Sequence, residues 1–292
     1  FKNIKYLDPT LILWRSSSQW IGGLYFLFFL ILIFSNKQFN YKMNDLTFSG
    51  DGSINSENNI KSLILRIFII YSLLSLLIFL LLNIAEVRLF NSLNLSMSLI
   101  SSGGFLPTNT LNKIIQSNPQ KIVFIFSLIT SMLNFFLILN IFERRILIRE
   151  HKEDLYLIIL SIFLIMLIYF NSYGGLNIII SVLSSLCNSG LSLISSDNNL
   201  SLYFILITII GGSIVSNTSG IKLTRIYILI KTATEEIIKL VSPNSIVNKN
   251  LFDSDKKIKD ENVKISFLIF ISFFISLFIL SSVLIVDNIN FE

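Results

Sequence analysis

Cysteine, histidine, proline and charge are all scarce in this chain, and each scarcity closes off a class of chemistry. Of 292 residues, one is a cysteine, Cys187, and one a histidine, His151. A single thiol forms no internal disulfide, and a lone imidazole without a second soft ligand makes no zinc or redox centre. Charged residues are 14% of the chain and hydrophobic ones 53%, whereas a soluble domain carries charge on about a quarter of its residues. With a mean hydropathy of +0.73, the chain reads as one whose solvent is the lipid bilayer. Glycine is also sparse, at 12 residues, so the places where it clusters are informative.

The formal net charge is +5, and its placement matters more than its size. Seventeen of the 23 Lys and Arg residues lie in three segments, 35–66, 143–152 and 222–264. No basic face is interleaved with aromatics for base stacking, so no nucleic-acid partner is expected. The bias is that of cytoplasmic loops, which implies a multi-pass protein of the cytoplasmic (inner) membrane. The chain opens on Phe1 with no charged segment ahead of an apolar core. No signal peptide is read there, and the chain is expected to be part of something longer.

A membrane-crossing helix needs about 20 apolar residues. Segments 11–34, 62–85, 121–142, 155–171 and 265–286 meet this, and 200–232 is long enough but interrupted by glycines. Two apolar stretches, Val87–Ile100 and Leu176–Leu186, reach only about 16–21 Å as helices and cannot cross. Each runs into a Ser/Gly/Asn cluster, Ser101-Ser102-Gly103-Gly104 and Asn188-Ser189-Gly190, and then into a long span. Long span, half-span, glycine loop and long span thus occur twice, over 62–142 and 155–232. Irregular backbone at membrane depth survives only where protein buries it or where it lines a water-filled cavity. Two readings follow, interfacial helices or re-entrant half-helices ending in a selectivity filter, and the repetition in register favours the second. No Asp, Glu or His falls within any of these spans, so neither a membrane enzyme nor a proton relay is expected.

Three segments carry a resemblance to a known family. Asp8-Pro9 through Trp14-Arg15-Ser16 and Gln19-Trp20-Ile21-Gly22-Gly23 resembles the stretch that opens the second helix of the first repeat in TrkH/KtrB-type potassium transporter subunits. Ser101-Ser102-Gly103-Gly104-Phe105 resembles their filter loop, and Gly211 through Lys222, with Arg225, resembles the glycine-rich segment of their third repeat. The resemblance implies an all-α polytopic membrane protein in which helix, re-entrant half-helix and helix units surround a pseudo-fourfold pore. On that template residues 1–34 are the second helix of repeat 1, 62–142 repeat 2, 155–232 repeat 3 and 265–292 the first helix of repeat 4. Segments 35–61, 143–154 and 233–264 are then cytoplasmic.

The same template names candidate residues. Backbone carbonyls of Ser102, Gly103 and Gly104, and of Asn188, Ser189 and Gly190, would bind potassium, the transported ion and the one ligand expected. Gly211, Gly212, Ser216, Asn217, Thr218, Ser219 and Gly220 would form an intramembrane gate, although a Gly/Ser face for close helix packing reads the same residues. Asn188-Ser189 departs from the usual threonines of the third filter loop, and Val215, Thr218 and Ser219 replace glycines of the gate. Sodium permeation or coupling, and a nonconducting structural remnant, therefore stay open beside potassium uptake. A homodimer and a cytoplasmic nucleotide-binding regulatory subunit of the TrkA/KtrA type are the partners implied. Arg15 and Gln19 read as anchors near the outer end of their span, Asn134 and Asn140 as helix-to-helix hydrogen bonders, Cys187 as a packing residue, and Phe252–Lys264 as a solvated linker.

Overall fold

The structure, a computed structural model, describes residues 8–35, 57–142, 152–169, 175–193, 198–242, 250–253 and 258–286. The expected cytoplasmic loops over 36–56 and 143–151, parts of the linker at 243–249 and 254–257, and the Asn140 side chain lie outside these residues. Regular structure among the described residues is helical: α1 (Pro9–Ser35), α2 (Glu57–Ile84), α3 (Leu89–Ile100), α4 (Asn118–Met132), α5 (Phe135–Phe142), α6 (Lys152–Tyr169), α7 (Leu176–Leu186), α8 (Asn198–Ile210), α9 (Leu223–Val241) and α10 (Asp260–Val286).

The two short helices occupy the interior. Half-helix α3 lies against α1, α2 and α4, and half-helix α7 against α4, α6 and α8. In α7 every residue from Ile180 to Leu186 is buried, with Ile180, Val182 and Leu186 wholly so. An interfacial helix keeps one polar face in water, whereas a helix covered all round is an interior one. Their serines and asparagine face protein too: Ser92, Asn94, Ser96 and Ser98 of α3 are buried. Asn94 Nδ2 returns to the Phe90 carbonyl at 2.7 Å, which satisfies a donor that lipid could not.

The outer surface is apolar. Ile64–Ile84 and Asp260–Ile285 are long and apolar enough to cross a membrane, and α10 exposes Phe267, Leu268, Phe278 and Leu280. Contiguous exposed apolar surface on this scale suits lipid or protein contact.

Three expectations are corrected. The span read over 121–142 is two helices, because Leu133 takes an extended conformation (φ −72, ψ 159) between α4 and α5. The first half-span starts at Leu89, not Val87, since Arg88 is extended (φ −56, ψ 136). The linker from Phe252 is not solvated at its start. Phe252 is buried and stacks on Tyr227 of α9 at 4.3 Å, with Tyr156 of α6 at 5.1 Å. Lys231 also donates to the Asn250 carbonyl. Two aromatic rings and a cation from the middle of α9 tie this stretch to α6 and α9.

Candidate functional site

Both half-helices end in the same turn. Ser101 (φ −87, ψ −1) and Cys187 (φ −74, ψ −10) cap α3 and α7. The next residues, Ser102 (φ 53) and Asn188 (φ 56), are left-handed, as are Gly104 (φ 74) and Gly190 (φ 66). Gly103 N donates to the Ser98 carbonyl at 2.8 Å and Ser189 N to the Ser184 carbonyl at 3.1 Å. Ser102 N and Asn188 N reach Leu99 and Ser185 at 3.0 and 3.1 Å. These paired bonds form the Schellman ending, repeated residue for residue. Asparagine is among the few non-glycine residues enriched in left-handed backbone, so Asn188 suits a position whose geometry the loop dictates.

The two turns meet. A Cβ added to Gly104 would lie 1.9 Å from the Ser189 carbonyl oxygen, so only glycine permits this approach. Helix α1 holds the first turn from its other side. Gln19 Nε2 donates to the Gly103 carbonyl at 2.7 Å. Arg15 Nη2 donates to the Leu106 carbonyl at 3.0 Å, with its guanidinium 4.2 Å from the Phe105 ring centre. Gly23 clears space for Ser101, since a Cβ there would sit 2.9 Å from the Ser101 Cβ. Arg15 and Gln19 are thus anchors, but of the loop after α3 and not of the helix end. Cys187 is buried and donates to the Leu128 carbonyl at 3.1 Å, a packing role.

Below these turns, α8 stops at Ile210 and α9 begins at Leu223, with an irregular loop between. The neck is closed by Ile221 N to the Ile209 carbonyl at 3.0 Å and Lys222 N to Ile210 at 2.9 Å. Gly211 and Gly220 pass each other there, and a Cβ on Gly220 would fall 2.9 Å from the Gly211 Cα. The loop is knit internally: Gly212 N donates to Thr218 Oγ1 at 3.0 Å and Ser216 Oγ to the Ser213 carbonyl at 2.7 Å. Asn217 Nδ2 donates to the Ile100 carbonyl at 2.9 Å. One residue of the gate candidate therefore touches the end of the half-helix that carries a filter candidate. Ser219 meets Gly211 through its backbone, its carbonyl lying 2.2 Å from where a Gly211 Cβ would be.

The break between α4 and α5 lies against this loop. Ser213 N donates to the Met132 carbonyl at 3.1 Å, and Phe135 N to the Val215 carbonyl at 2.7 Å. The interrupted span 200–232 and the unexpected break at 133–134 thus satisfy each other's backbone, as apolar surroundings require.

Three residues around this loop had no role assigned from the sequence. Asp154, buried, accepts from Asn134 N at 2.8 Å and so caps α5 from another helix. Glu153 accepts from Ile214 N at 3.1 Å. Both had been placed in a loop ahead of 155–171, yet they form the first turn of α6. Acidic residues directly before an apolar run are a helix-start signal, but nothing local says that their carboxylates serve other segments. Lys222, also buried, turns back into the loop from a left-handed backbone (φ 78, ψ 137), a conformation that costs about 1–3 kcal/mol outside glycine.

No protein-family model matches the chain. It is 25% identical over 297 residues to an uncharacterized cation transporter of Methanocaldococcus jannaschii, a match that takes in 99% of this chain and 60% of that protein. The crystal structure of the potassium transporter TrkH from Vibrio parahaemolyticus superimposes with a TM-score of 0.76 over 95% of this chain and 59% of that one, at 18% identity. This chain has the TrkH fold. It spans about three fifths of each of these two proteins. The all-α architecture expected from the sequence is therefore present, and both similar proteins are described as transporters.

Proposed function

We propose that the chain forms part of a potassium-permeation pathway in a lipid bilayer, with two filter loops at Ser102–Gly104 and Asn188–Gly190 and a gate at residues 211–222. The observation that carries this reading is the identical Schellman ending of α3 and α7, whose turns meet at Gly104 and Ser189. Helix C-termini concentrate partial negative charge, which favours a cation. Backbone carbonyls of a tight loop replace its hydration shell. In a pseudo-fourfold pore these would be two of four such loops. Gln19 occupies one lone pair of the Gly103 carbonyl, so Gly103 would position the loop while its neighbours face the ion.

The gate reading rests on position and on glycine neck geometry. Loop 211–222 hangs from the end of α3 through Asn217, directly behind a filter candidate. Opening would break that bond and the bonds to Met132, Phe135 and Glu153 together. A homodimer, and a regulatory nucleotide-binding subunit on the side of α9's end and the following linker, complete the proposal. Rubidium and sodium uptake in cells lacking their own potassium uptake tests it: rubidium entry that sodium does not compete supports potassium, equal sodium entry supports the sodium alternative, and neither leaves a structural role.

A further inference from the structure

The ammonium of Lys222 is surrounded by oxygen. Its Nζ donates to the Thr218 carbonyl, to Thr218 Oγ1 at 3.0 Å, to Ser216 Oγ at 3.1 Å and to the Ser216 carbonyl at 3.4 Å. Every one of these neighbours is an acceptor, which is what a group with three N–H donors and no lone pair requires.

Proton accounting shows that the cage is built for a cation. Ser216 Oγ spends its hydrogen on the Ser213 carbonyl at 2.7 Å. In the 2.7 Å contact between the two hydroxyls, Thr218 is therefore the donor. With Gly212 N donating to Thr218 Oγ1, each hydroxyl has its hydrogen turned away from Nζ and a lone pair turned toward it. Two carbonyls and two hydroxyls thus converge on one buried point, where the Ser216 and Thr218 carbonyls would lose a donor if nothing positive stood there. Ammonium and potassium ions have nearly the same radius, and neutral oxygens are what a hard monovalent cation binds. The left-handed backbone at Lys222 directs the side chain back into its own loop, so a strained position serves the contact.

We propose that residues 216–218 form a monovalent-cation site of potassium size, occupied in this protein by the tethered ammonium of Lys222. The loop carries its own ion, and its closed form does not depend on dissolved cations. The proposal concerns the loop's chemistry alone and stands whether or not the two filter turns conduct.

Hydrogen exchange of peptides covering 211–221, with the protein in lipid nanodiscs, tests it without requiring transport. In the unaltered protein, exchange is the same in potassium, rubidium, lithium and N-methylglucamine chlorides. In Lys222→Ala the loop exchanges at least tenfold faster in N-methylglucamine and lithium, and potassium or rubidium restores protection. Adding Thr218→Val to that variant abolishes the restoration. Protection of Lys222→Ala that is equal in all salts, or that no monovalent cation restores, overturns the proposal. Should Lys222→Ala fail to accumulate even in potassium, Thr218→Val in the unaltered background decides: faster loop exchange in every salt supports the cage, and unchanged exchange overturns it.

Discussion

The carbonyl oxygen of Ser189 occupies the place where a side chain on Gly104 would begin. A Cβ there would lie 1.9 Å from it, so the loops after α3 and α7 come together backbone against backbone. Gly104 also has φ +74, which an alanine adopts only at about 1–2 kcal/mol. Gly104→Ala is expected to separate the turns and to lower cation uptake at least tenfold. Gly22→Ala is the control: nothing lies within 4 Å of its Cβ and it sits in α1. Alanine there should leave uptake unchanged and raise thermal stability slightly.

Asp154 caps α5 across a sequence separation of twenty residues. Removing the carboxylate leaves the Asn134 N–H buried without its acceptor, a loss of about 1–3 kcal/mol. Asp154→Ala should lower the melting temperature of the purified protein clearly. Asp154→Asn, which keeps an acceptor oxygen, should lower it less, and equal shifts would contradict the capping role.

Glu153 holds the loop between α8 and α9 and not the helix break, through Ile214 N. Glu153→Ala is expected to speed hydrogen exchange at 212–216 while exchange in α3 and α7 stays as it was. Uniform acceleration across the protein would instead mean that Glu153 supports the whole fold.

Gly220 sits at the neck of the loop between α8 and α9 with φ +93 and a Cβ position 2.9 Å from the Gly211 Cα. Gly220→Ala should disturb the closed neck, changing cation uptake with membrane insertion unaffected. Uptake indistinguishable from the parent, at normal insertion, would remove the gate reading.

The long features were legible from composition and length. Segment 11–34 is α1 within two residues, and Leu176–Leu186 is a helix with those bounds, because apolar run length and a following glycine cluster are local signals. The break at Leu133–Asn134 was not legible, since no proline or glycine stands there. Its backbone is satisfied by Ser213, Val215 and Asp154, all distant in sequence. The same holds for Lys222 and Glu153, whose partners are set by how α6 meets the loop between α8 and α9. Charge position could be counted along the chain, but the acceptor each charge finds depends on tertiary packing. Phe252 was hidden for a related reason, as its charged neighbours masked a ring that stacks on Tyr227.

Rubidium uptake, measured against sodium in cells without their own potassium uptake, tests the central claim most directly when the parent is compared with Gly104→Ala and Gly190→Ala. The account predicts rubidium entry that excess sodium does not suppress and that both substitutions abolish at unchanged membrane abundance. Full rubidium entry through both variants would contradict it.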